Sequence, residues 1–126
     1  MSQLGDILTG AGMIGIGAGT AAAEHDAFGG ATLTVAGLLA ILGAQEAEKA
    51  AAWRVADLAA MAALLGEAAP VRAGGWTLTQ LDADWNRFSD ALIAAHAAAE
   101  AAGDDDRAFL AFYRESAARR ALVWPL

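Results

Sequence analysis

Apolar and polar positions are spread unevenly along this chain, and the unevenness divides it into parts. Residues 7–23 and 27–45 contain no Asp, Glu, Lys or Arg, and only Glu24, His25 and Asp26 stand between the two stretches. A helix that crosses a bilayer needs about 20 apolar residues, within a range of roughly 17–25. Both stretches reach that length. The second, with Leu33, Val35, Leu38, Leu39, Ile41 and Leu42, is the more apolar. From Glu46 the pattern turns amphipathic, and Trp53, Ala56, Ala60, Met61, Leu64 and Leu65 recur on one side of a helix that ends near Gly66. "GEAAPVRAGGW" reads as a Pro/Gly linker near 66–76. Thr79 with Asp82 marks a helix start. Leu81, Trp85, Phe88, Leu92 and Ala95 give that helix an apolar face, with Asp84, Arg87 and Asp90 on its wet side. Gly103 stops it, and Asp104, Asp105 and Asp106 open the last helix, where carboxylates suit the positive end. There Phe109, Phe112, Tyr113 and Ala117 are expected to face inward, Glu115 and Arg119 to pair, and Pro125 to set the limit. No segment alternates at period two. The predicted class is all-α: a Gly/Ala-rich apolar helical hairpin over 1–45, then a small acidic three-helix bundle over 46–126.

The run "GAGMIGIGAGT" at residues 10–20 admits three readings. Gly10, Gly12 and Gly15 satisfy G-x-G-x-x-G, but that fingerprint needs a strand before it and an acid about 20 residues on. Glu24 comes too early and no second strand follows. In the second reading the run packs two helices closely. Ala11, Gly15, Gly19 and Ala23 are spaced by four, as are Thr32, Ala36, Ala40 and Ala44. Stripes of small residues let helix backbones approach each other inside lipid, where hydrophobicity cannot drive them together. Ala and Gly are abundant here, so such a stripe also arises by chance. The third reading is a soluble bundle whose first two helices are its most buried. A chain of 126 residues has little material to cover them, so a protein partner or homo-oligomer would be needed.

Composition sharpens this picture. Hydrophobic residues make up 57 % and charged residues 18 %, against about 45–50 % and 25 % in ordinary soluble domains; the mean hydropathy is +0.39. The net charge of −7, with eight dispersed Lys and Arg, argues against a nucleic-acid partner, which requires clustered cations. With no cysteine, disulfides and thiolate metal sites are excluded. "MSQLGDILTG" lacks the basic start of a secretory signal. Lys49 and Arg54 follow the second stretch, whereas the turn carries Glu24 and Asp26. The bias of basic residues toward the inner side therefore puts both termini in the cytoplasm.

Few residues suggest chemistry. His96 and Glu100 are one helical turn apart, and Glu24 and His25 adjoin, so these four are candidate metal ligands. The set is incomplete by zinc-site standards, and no cofactor is expected. Asp104–Asp106 lack the spacing of a calcium loop. Ser2, Ser89 and Ser116 lie in no nucleophile elbow, and no catalytic set is indicated. Trp53 and Trp85 fall on apolar faces. Trp76 in the linker and Trp124 beside Arg119 and Arg120 instead suit a boundary between apolar and wet surroundings, a partner or a headgroup layer. The expectation is a small, non-enzymatic, membrane-associated accessory, scaffold or pore-type subunit of a larger assembly. The alternative is a soluble all-α interaction or structural subunit, cytoplasmic or within a particle such as a virion, and the third reading is a helical metal-binding bundle.

Overall fold

A computed structural model describes residues Met1–Leu126. It is all-helical, with four helices in chain order: α1 Gln3–Ala22, α2 Ala27–Leu65, α3 Leu78–Ala102 and α4 Arg107–Arg120. Gly10, Gly12 and Gly15 lie inside α1, where their N–H groups are used by the helix itself. The dinucleotide fingerprint is thereby ruled out, since its phosphate site needs a strand-to-helix turn with free N–H groups.

The local signals explain most boundaries. Ser2 caps α1 by accepting the Gly5 N–H at 3.1 Å, and Asp26 begins α2 by accepting the Gly29 N–H at 2.9 Å. α3 starts earlier than Thr79 suggests. Thr77 accepts the Gln80 N–H while the Gln80 side chain accepts the Thr77 N–H, so two otherwise orphaned donors are satisfied reciprocally. Gly103 ends α3 at φ 70°, a left-handed conformation that only glycine adopts without penalty.

One expectation changes here. The hairpin's second arm and the amphipathic segment after Glu46 form one 39-residue helix, not two. Residues 44–53 contain neither Pro nor Gly, and Ala, Gln, Glu and Lys are strong helix formers. The change from apolar to amphipathic at Glu46 is accompanied by no break in the backbone.

The chain divides into two compact units, Met1–Lys49 with Leu122–Leu126, and Ala50–Ala121, the boundary falling within α2. The second unit holds a conventional core of Leu58, Met61, Ala62, Leu81, Phe88, Leu92 and Phe112, with Trp76, Trp85, Phe109 and Tyr113 packed against it. Ala56 and Ala117, expected inside, are exposed, and their neighbours Asp57 and Ser116 are buried instead. Asp57 is 0 % exposed. Its carboxylate accepts from Trp85 Nε1 at 3.0 Å, Ser116 Oγ at 2.6 Å and Arg119 Nε at 2.7 Å. Burying a charge is tolerated when it is paired and fully hydrogen-bonded, and three donors meet that condition.

Candidate functional site

The first unit reverses the usual order of inside and outside. α1 and the first part of α2 run antiparallel, and their contact is made of glycine. A Cβ placed on Gly12 would lie 2.6 Å from the Gly37 carbonyl oxygen. One on Gly15 would lie 3.0 Å from Gly37 Cα, and one on Gly19 would lie 2.6 Å from the Gly30 carbonyl oxygen. The two backbones nearly touch: a side chain at Gly12 or Gly19 would press on the opposite backbone and force a shift, and one at Gly15 would be tight. In this unit the buried small residues are Gly5, Gly12 and Gly19 on α1, and Gly30, Gly37 and Ala44 on α2, with Leu38 buried beside them. Each set recurs every seven residues, the period of a left-handed helix pair.

This register differs from the four-residue stripe expected from the sequence. Gly15, Gly19, Ala40 and Ala44 are wholly or partly buried, whereas Ala23 is exposed, although its backbone and Cβ adjoin Gly30. Ala11, Thr32 and Ala36 point outward. A spacing of four drifts around a helix by 40° at each step, whereas a spacing of seven drifts by only about 20°. The seven-residue set therefore stays on the seam for the length of the contact.

Leu38, 7 % exposed, is the one large apolar side chain buried in this unit; most of the others lie on the outside. Ile7, Ile14 and Phe28 are 68 %, 74 % and 84 % exposed, and Leu4, Met13, Val35 and Leu39 are each more than half exposed. α2 is long and apolar enough to cross a membrane by length and composition, yet only 22 % of its most apolar stretch is buried. The hydroxyls on this surface are neutralised within their own helices: Thr20, Thr32 and Thr34 each donate to the carbonyl four residues back, at 2.9–3.0 Å. That arrangement leaves no bare donor among the apolar side chains.

Polar groups gather at the two ends of the pair. At one end, Glu24 and His25 are exposed in the turn beside the capping Asp26. At the other, the Ser2 N–H donates to the Glu48 carboxylate. There too the Gln45 side-chain amide clasps the Val123 backbone with two 2.7 Å bonds, donating to its carbonyl and accepting its N–H. This clasp fixes the segment that carries Trp124, whose side chain is 60 % exposed, next to the polar end.

The remaining predicted site residues lie in the second unit. Trp76 packs against the core with the Arg72 guanidinium 5.4 Å from its ring. Arg119 is held internally by Asp57, with Glu115 4.0 Å away. The Arg120 guanidinium sits 5.5 Å from both Trp53 and Trp85, which meet edge to face at 6.1 Å. A cleft of ≈ 220 Å³ opens beside it, lined by Trp85, Ser89, Ile93, Phe112, Tyr113 and Ser116. His96 and Glu100 come together and are joined by Asp106, which spacing alone did not single out; Glu24 and His25 belong to the other unit and to no such group. Burial first, and then the Glu100 charge, push the Tyr113 hydroxyl above its ordinary pKa. Compared with protein-family models, curated proteins and solved structures, the chain matches none.

Proposed function

We propose that the chain is a membrane-anchored accessory or scaffold subunit, held by residues 7–23 and 27–45 as a closed helical hairpin, with the charged second unit available to a protein partner. The observation that carries this reading is the burial pattern of the first unit, with glycines along the helix contact and most large apolar side chains, Leu38 excepted, on the outside. In water such a surface is costly at roughly 25 cal/mol per Å² of apolar area; in lipid it is the ordinary arrangement. Length agrees with it. The uncharged stretches measure about 25–28 Å along their axes at 1.5 Å per residue, close to the ≈ 30 Å hydrocarbon core. All eight Lys and Arg lie at residue 49 or later. The bias of basic residues therefore favours a cytoplasmic Ser2–Glu48 end and a Glu24–Asp26 turn on the opposite side. Trp124 then falls at the level of the headgroups, where tryptophan is enriched.

Fractionation of the untagged protein tests the reading. The hairpin is expected to stay in membranes washed at alkaline pH and to need detergent for release. A protein that is homogeneous in buffer without detergent would overturn the proposal. The apolar exterior must then be covered by copies of the chain, and light scattering would give their number.

A further inference from the structure

The junction of α3 and α4 brings together groups that the hairpin reading leaves unused. Gly103, at φ 70°, turns the chain tightly, with the Gly103 N–H bonded to the Glu100 carbonyl and the Asp104 N–H to that of Ala99. The reversal returns Asp106 to α3. His96 Nε2 then lies 3.3 Å from Asp106 Oδ2 and 3.7 Å from Glu100 Oε1, and all three ligand atoms fall within 4.8 Å of one another. Zinc–nitrogen and zinc–oxygen bonds of about 2.0–2.2 Å at tetrahedral angles separate neighbouring ligands by roughly 3.3–3.6 Å. The His96–Asp106 separation falls in that range and the His96–Glu100 separation lies just above it, so a modest inward movement of the exposed Glu100 side chain would close the shell.

Two further features point the same way. The imidazole is already oriented: Nδ1 is 3.0 Å from the Tyr113 hydroxyl, and the ring stacks on Phe109 at 4.9 Å and 9°. Metal-bound histidines ordinarily have their second nitrogen hydrogen-bonded in this way. Asp106 occupies the N-cap position of α4 but makes no side-chain cap bond, although aspartate there normally accepts an N–H of the first turn. Asp105 instead accepts the Arg107 N–H at 3.0 Å, and Asp106 is turned to His96.

We propose that His96 Nε2, Glu100 and Asp106 bind a divalent transition-metal ion of the zinc class, with a fourth position open to water. One imidazole and two carboxylates fit that class. Calcium and magnesium take oxygen ligands, and the softer copper(I) calls for sulfur. The two carboxylates also balance the ion's charge. Without metal, the tautomer protonated at Nε2 would donate to Asp106 and accept the Tyr113 hydroxyl at Nδ1. With metal on Nε2 the proton resides on Nδ1 and donates to the Tyr113 oxygen. All these residues lie in the second unit, so the site is independent of whether the hairpin enters a bilayer.

Calorimetric titration of the full chain with Zn²⁺, with Mg²⁺ as the control ion, tests the site. One saturable Zn²⁺ per chain is expected and no Mg²⁺. His96→Ala should abolish binding, Tyr113→Phe should weaken it about tenfold or more through the lost support of Nδ1, and His25→Ala should leave it unchanged. Glu100→Gln alters an exposed side chain and guards against misfolding of the His96 variant, which circular dichroism would reveal. It should weaken binding too, and Co²⁺ should give the visible absorption of a four-coordinate ion only when His96 is present. Absence of saturable Zn²⁺ binding, or binding in His96→Ala and Glu100→Gln equal to that of the parent, would overturn the assignment.

Discussion

At Asp57 three donors from α3 and α4 converge on one carboxylate that has no exposed surface. Its removal strands the Arg119 guanidinium, of which Nη2 already lacks a partner, and leaves the Trp85 and Ser116 donors unsatisfied. Asp57→Ala should therefore cost about 3–5 kcal/mol, the range for breaking a buried pair by deleting one member. Thermal unfolding would measure it, and a loss under 1 kcal/mol would mean that water replaces the carboxylate. This residue was not legible in the sequence. Helical periodicity put Ala56 inside, and an acid beside an alanine carries no sign of facing the core until Ser116 and Arg119 are known to sit across from it. Asp106 is a similar case: three consecutive aspartates look alike until the turn at Gly103 aims one of them at His96.

Among the elements, the seam between α1 and α2 distinguishes glycines that must be glycine from those that need not be. Gly12→Ala would bring a methyl within 2.5 Å of Ile41 and 2.6 Å of the Gly37 carbonyl. The side chain can yield but the backbone cannot, so the helices must part at a cost of about 1–3 kcal/mol. Gly10 and Gly17 have open space where a Cβ would be. Alanine there should stabilise the helix by roughly 0.5–1 kcal/mol. Melting the four proteins side by side in the same solvent checks the contrast, and equal effects at Gly12 and Gly10 would mean the seam is loose. The glycine run offered close packing as one of three readings; the register seen between α1 and α2 was not legible in it. Ala11 and Gly12 are both small, and only the shape of the opposite helix selects between a spacing of four and one of seven. The continuity of α2 was hidden for another reason, since a change in composition at Glu46 resembles a boundary although nothing there breaks a helix.

For the whole molecule, the helical class followed from periodicity and from the absence of charge before residue 46 outside Asp6, Glu24 and Asp26. The contacts of the terminal segments were not visible in the sequence because they join residues far apart in the chain. One of them is sensitive to acid. The Ser2 side chain first, and its backbone N–H second, hold the Glu48 carboxyl below its ordinary value of 4.5. A carboxyl whose pKa is depressed on folding contributes fully above its unfolded value and loses that contribution as pH falls through the lowered one. The tie between Ser2 and Glu48 should thus hold at neutral pH and release in acid below 4.5. The Ser2 amide resonance, followed by NMR, should titrate with that depressed midpoint; an unshifted midpoint would show that the tie does not form.

The same tie has a consequence together with the clasp on Val123. Gln45 and Glu48 are separated by less than one turn of α2, about 4.5 Å along its axis. The chain's opening and closing segments are therefore fastened almost side by side, and the backbone comes close to a ring. A short peptide joining Leu126 to Met1, with new ends cut in the loop at 66–77, should give a circular permutant with all four helices retained, since exposed loops tolerate such openings best. Its helix content and melting temperature should stay near those of the parent.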